Sequence, residues 1–175
     1  MKTILTAILL SASACGVNVV QVQSKSAAST GWYNENGQVV TTEHGHNGDI
    51  ATAVSVAGYE SSELEPQTRI AEDVIAYGPT SHHKRRCYTS AEIGDMVTVS
   101  TLRGPIRTSV TKVGYRTVTL RRKLKPGDSG SPVTKRGCIV GVAQSVSDDG
   151  TTVARIRYPR EQGEINEKRN QNETL

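Results

Sequence analysis

The sequence predicts an all-β fold, and three observations carry that expectation. Apolar residues recur at every second position in short runs, turn residues separate the runs, and the side chains are lean, with 16 Gly, no Phe and only 4% aromatic residues. At 175 residues the chain holds one compact domain or two small barrels sharing a core, which excludes a large multidomain enzyme. A formal net charge of +4 bears on solubility and on encounters with acidic partners, and it selects no partner class.

Met1-Lys2-Thr3, the apolar run Ile4 to Leu10 and the small residues up to Cys15 predict an export signal over residues 1–15, too short to span a bilayer. Ala12 and Ala14 fit an A-x-A cleavage pattern. Ala14-Cys15-Gly16 also resembles a bacterial lipobox, with Ala12 where Leu is usual, so the expected product is either secreted or attached to a membrane through lipid on Cys15.

Residues 16–80 form a first unit. Val17 to Gln23 alternates as a strand, Ser24 to Ser29 is a Ser/Ala loop, and two strands flank a turn at Asn36-Gly37. Ile50 to Val56 alternates again, Ser61 to Gln67 reads as a charged surface loop, and Asp73 to Tyr77 is a buried strand ending at Gly78-Pro79. The run Ser81 to Arg86 connects to a second unit, residues 81–158. Its strands are Met96 to Thr101, Arg107 to Val113, Arg116 to Leu120, Ser131 to Thr134, Cys138 to Gln144 and Thr151 to Ile156, and six such strands make one barrel. Residues 159–175 are charged and almost devoid of apolar side chains, which predicts a mobile tail.

Chemistry concentrates in Pro126-Gly127-Asp128-Ser129-Gly130-Ser131-Pro132-Val133, a turn of small residues that presents one serine and runs into an apolar strand. Gly127 and Gly130 let the backbone fold sharply, so the N–H groups of Gly127 and Ser129 can converge as an oxyanion hole. The competing reading is an ordinary hairpin turn, built from the same residue types. A reactive serine also needs a histidine base held by a carboxylate.

Gly127 to Gly130 followed by Ser131-Pro132-Val133 resembles the nucleophile motif of trypsin-like (chymotrypsin-fold) serine proteases. Ser29 to His44, closing on Thr41-Thr42-Glu43-His44, is similar to the family's first-barrel segment, and Ala71 to Tyr77 to the segment in which an aspartate opens a strand. The resemblance covers about residues 29–157. It implies two six-stranded antiparallel β-barrels with an active site at their interface, and a serine endopeptidase acting on peptide or protein substrates without metal or cofactor. In that reading His44 is the base, Asp73 orients it, Ser129 is the nucleophile, and the N–H groups of Gly127 and Ser129 receive the oxyanion. The chain order His44, Asp73, Ser129 is the trypsin-like one. The primary pocket would be walled by Gln144, Ser145 and Val146, with Lys123 near its base, either favouring acidic side chains or pointing to solvent.

Glu43 stands where the family carries a small residue, and a carboxylate there would raise the pKa of His44 unless turned away. Asp49 is the rival carboxylate, weaker for want of an apolar strand before it. The short spacings suit a small bacterial or viral-type member. If Cys15 is lipidated or removed, Cys87 and Cys138 remain as an even pair, predicting one disulfide or, alternatively, two buried thiols. The basic runs Lys84-Arg85-Arg86 and Arg121-Arg122-Lys123 read as solvated charge rather than a nucleic-acid surface. His82-His83 and His44-x-His46 lack further ligands at metal-binding spacing. The alternative to an enzyme is an inactive trypsin-like fold acting as a binding or structural module.

Overall fold

The computed structural model describes residues 17–25, 27–44, 46, 51–55, 61–64, 66–78, 80 and 84–156. The expectations for residues 1–15, Asp49, His82, His83 and the tail from 159 onward lie outside these residues. Among the described residues the chain forms strands and turns, with no α-helix.

Strands β1 (Val19–Gln23), β2 (Ala28–Tyr33), β3 (Val39–Thr42), β4 (Ala51–Ser55), β5 (Ser61–Leu64), β6 (Pro66–Ala71) and β7 (Val74–Tyr77) make one antiparallel sheet in the order β5-β4-β1-β2-β3-β7-β6. Strands β8 (Met96–Thr101), β9 (Gly104–Val113), β10 (Thr117–Leu120), β11 (Pro132–Lys135), β12 (Cys138–Ser147) and β13 (Gly150–Arg155) close into a six-stranded antiparallel barrel. One expectation is corrected. Ser61 to Gln67, read as a surface loop, supplies β5 and the start of β6. Ser61-Ser62-Glu63-Leu64 contains no β-branched residue, so local preference does not mark it; the ladder to β4, from Ala51 opposite Leu64 to Val54 opposite Ser61, decides its conformation.

All four residues of β3 and all four of β7 are buried. Because side chains alternate across a strand, these two strands must fill two cores at once. On one face Val39, Ile75 and Tyr77 pack with Val20 and Val22 of β1. On the other, Val40, Val74 and Ala76 join Trp32 and meet Ile139 and Val142 of β12 and Ala154 of β13. That second cluster is the seam between sheet and barrel. The barrel interior holds Val97, Val99, Val110, Val118, Leu120, Val133, Val140 and Val153. Strand β12 serves both cores because its register slips opposite Val133 and Thr134. A bulge breaks the period of two, so Val140 faces the barrel interior while Ile139 and Val142 face the seam.

The connector between the two halves is stitched to both. Ile139 N–H donates to the Cys87 carbonyl at 2.7 Å and Thr89 N–H to the Ile139 carbonyl at 2.8 Å, and a disulfide joins Cys87 to Cys138. On the other side Arg86 Nε donates to the Tyr33 carbonyl at 2.8 Å, with its guanidinium 5.8 Å from the centre of the Trp32 ring. Tyr88 donates its hydroxyl to Glu35 Oε2 at 2.5 Å; burial and this carboxylate push the phenol well above its usual pKa.

The disulfide closes a loop of 51 residues, for which chain-entropy arguments give up to about 4 kcal/mol. The double variant Cys87→Ser, Cys138→Ser is expected to lose about 2–4 kcal/mol in urea unfolding; a loss below about 0.5 kcal/mol would show that the flanking backbone hydrogen bonds hold the connector by themselves. A second expectation concerns acid. The Asp95 carboxylate accepts from Lys135 Nζ at 2.5 Å and from Glu92 N–H at 2.7 Å, and Lys135 foremost holds its pKa below the usual range. The folded chain therefore gains from Asp95 at neutral pH and loses that gain as pH falls below the ordinary carboxylate range. Asp95→Asn should flatten the acid limb of a stability-against-pH curve and leave the neutral and alkaline limbs parallel to those of the parent.

Candidate active site

Glu43-His44 directly follow strand β3 and Glu72-Asp73 directly precede strand β7, and antiparallel pairing brings these two ends together. Glu43 N–H donates to the Asp73 carbonyl at 3.1 Å. The Asp73 side chain then holds its neighbour twice: Oδ1 accepts His44 N–H at 2.7 Å and Oδ2 accepts the ring Nδ1–H at 2.6 Å. Asp73 adopts φ 55°, a left-handed conformation that aspartate tolerates better than most residues. A carboxylate only accepts, so this bond holds a proton on Nδ1; in the neutral form of such a ring Nε2 is the proton acceptor, and the His44 side chain is 51% exposed. The Glu43 carboxylate pairs with Arg69, Oε2 to NH2 at 2.5 Å, so its charge is answered by a guanidinium.

Ser129 sits in the turn between β10 and β11. Positive φ at Gly127 (87°) and Gly130 (88°) makes the turn, and Ser131 N–H donates to the Asp128 carbonyl at 3.0 Å across it. A Cβ at Gly130 would overlap the Thr30 carbonyl oxygen, so this position requires glycine on two counts. Among the described residues neither Gly127 N–H nor Ser129 N–H meets an acceptor. The Asp128 side chain is 1% exposed and turned inward, where Oδ2 accepts Lys125 N–H at 3.0 Å and Oδ1 lies 2.6 Å from Arg103 NH2.

Two residues tie this turn to the first sheet. Thr30 of β2 donates its N–H to the Ser129 carbonyl at 2.8 Å and its hydroxyl to the Gly127 carbonyl at 2.9 Å. Gln144 of β12 accepts the Ser129 hydroxyl on its carbonyl at 2.8 Å and donates its side-chain amide to the Glu72 carbonyl at 2.5 Å, one residue from Asp73. His44 and Asp73 thus share two hydrogen bonds, while Ser129 is linked to them through Gln144 and donates its hydroxyl there rather than to His44.

Three solved structures share this architecture. The inactive form of the Rv3671c protease of M. tuberculosis aligns at TM-score 0.66 with 20% identity, over 81% of this chain and 85% of that one. The human pathogenic astrovirus serine protease aligns at 0.64 with 19% identity, over 82% and 91%, and the serine endoprotease from Yersinia pestis at 0.63 with 16% identity, over 87% and 62%. The chain has the chymotrypsin fold. No protein-family model and no curated protein matches it in sequence. At such identities the likeness establishes the trypsin-like, protease-type fold, and the chemistry must be argued from the residues.

Within the chymotrypsin fold the remaining site residues fall as follows. Ser145 and Val146 are exposed beyond Gln144, whose own side chain is buried and engaged with Glu72. Lys123 is exposed and lies 3.5 Å from Asp148 Oδ1, so its charge is partly answered within the chain. Among the described residues no group of three His, Cys, Asp or Glu side chains is placed to hold a metal ion. Thr30 and Arg103 carry much of the site's geometry and have no sequence signal of their own. Thr30 is an ordinary strand residue, and Arg103 beside Gly104 spells only a hairpin tip.

Removing Arg103 would leave the Asp128 carboxylate buried without its counter-ion, next to Ser129. Because Arg103 itself is half exposed, part of its charge is already screened, and Arg103→Ala is expected to cost about 2–3 kcal/mol in urea unfolding. Arg103→Lys should recover part of that loss. An Arg103→Ala variant as stable as the parent would show that water replaces the guanidinium at no cost.

Proposed function

We propose that this chain is a serine endopeptidase that hydrolyses peptide bonds through an acyl-enzyme on Ser129, with His44 as general base and acid and Asp73 as the residue that orients it. The observation that carries this reading is the double grip of Asp73 on His44, which selects the ring tautomer whose Nε2 accepts a proton. As the Ser129 oxygen attacks a peptide carbonyl, its proton passes to His44 Nε2 and the negative charge forms on the carbonyl oxygen. The N–H groups of Gly127 and Ser129, which meet no acceptor among the described residues, are the donors for that oxyanion. His44 returns the proton to the leaving amine, the carbon–nitrogen bond breaks, and water repeats the sequence on the ester. The Ser129 hydroxyl must first turn from the Gln144 carbonyl toward His44, a rotation about χ1 between staggered positions.

That resting hydrogen bond also supports a second reading, a trypsin-like fold that has kept its architecture and acts as a binding module. A fluorophosphonate probe separates the two, because it bonds only to a serine activated by its base. The parent chain should be labelled on one residue, Ser129→Ala should not be labelled, and Asp73→Asn should react on the order of 10⁴ times more slowly through loss of the working tautomer. A folded parent chain that takes up no probe sinks the enzymatic reading.

A further inference from the structure

The proposed reaction leaves a second histidine unused, two residues beyond the base and fully buried. His46 is 0% exposed, its Nε2 lies 2.7 Å from Ser29 Oγ, and its ring meets the Tyr77 ring edge-on at 6.3 Å between centroids. From Ser29 the contacts continue through buried hydroxyls. Ser29 Oγ is 2.8 Å from Thr41 Oγ1, and Thr41 Oγ1 is 2.8 Å from the Thr30 carbonyl oxygen.

The direction of every bond in this row follows from proton counting. A carbonyl oxygen only accepts, so the single hydroxyl proton of Thr41 is committed to Thr30. Thr41 Oγ1 can then only accept from Ser29, which commits the single proton of Ser29. Ser29 Oγ can then only accept from His46, so Nε2 of His46 must carry a proton and donate it. The row ends on Thr30, and Thr30 is the residue whose N–H and hydroxyl hold the carbonyls of Ser129 and Gly127.

We infer that His46 is a positioning residue: protonated on Nε2, it heads a one-directional row of hydrogen bonds, His46 to Ser29 to Thr41 to Thr30, that sets the position of the Ser129 turn from inside the first sheet. This rests on the proposed hydrolase reading for its effect on rate, but the proton on Nε2 is required by geometry alone. Hydrogen bonds aligned in one direction polarise one another, and a buried row has no water to substitute for a lost member. Breaking it leaves a buried carbonyl or hydroxyl without a partner and lets Thr30 shift, and displacements well under 1 Å at a nucleophile are felt in the rate.

The test has two arms. In long-range proton–nitrogen NMR spectra of the full chain at neutral pH, the Nε2 of His46 should show as the protonated nitrogen; an unprotonated Nε2 overturns the inference whatever the activity. In the second arm, the rate of fluorophosphonate labelling and kcat on a peptide substrate are measured well below each variant's unfolding temperature. Thr41→Val and His46→Leu should each lower both rates about tenfold or more with KM little changed, while Thr41→Ser and His46→Gln, which keep the donor, should restore them. Thr42→Val is the control, because Thr42 is equally buried on the same strand and its hydroxyl takes no part in the row. If His46→Leu fails to fold, Ser29→Ala breaks the row at its next member. Variants that label as fast as the parent overturn the inference alone, whereas a parent chain that does not label overturns the hydrolase reading as well.

Discussion

Two short strands with no face left for solvent govern this structure. Because β3 and β7 are buried on both sides, every residue in them must suit one of two cores, which explains the run Val39-Val40-Thr41-Thr42 and the run Val74-Ile75-Ala76-Tyr77. Strands so enclosed cannot slip in register without moving apolar groups into the wrong core. Their ends are therefore fixed points. The ionisable pair stands just outside them, His44 following β3 and Asp73 preceding β7. The left-handed backbone at Asp73 costs on the order of 1 kcal/mol. Three hydrogen bonds to Glu43 and His44 offset it.

The nucleophile turn belongs to the other half of the chain and has no such enclosure, so it depends on long-range anchors. Thr30 holds two of its carbonyls, Gly130 admits the first sheet to van der Waals contact, and Arg103 answers the charge of Asp128. The two anchors outside the turn, Thr30 of β2 and Arg103 before β9, come from different halves of the chain, and the turn is positioned by their agreement. A site made this way is pre-organised from both halves, in contrast to one displayed on a loop of its own.

How much of this was legible in the sequence depended on the range of the forces involved. Thr117 to Leu120 alternates cleanly between buried and half-buried positions, because a half-buried strand writes its period into its residues. The turn at Gly127 to Gly130 was legible for a local reason too, since only glycine takes its backbone angles easily. Ser61 to Gln67 was misread because its conformation comes from pairing with β4, which leaves no mark in composition. Thr30 and Arg103 were invisible for the same reason, their partners lying 97 and 25 residues away by way of the folded chain in the first case and across a hairpin in the second. His46 was visible only as a neighbour of His44, with nothing in the spacing to assign it a role; the fold sends one ring to the surface and the other into the core.

The seam also carries its own optical label. Trp32 is the single tryptophan of the chain, fully enclosed among Val40, Val142 and Ile139 from both halves and overlaid by the Arg86 guanidinium. Emission excited at the red edge of the absorption band, where indole absorbs and the six tyrosines do not, therefore originates at one place, the joint between sheet and barrel. Loosening of that joint shifts the emission toward the red as water reaches the indole, even while the strands of each half stay paired. The chain reports on the docking of its two halves separately from their folding, without an added dye.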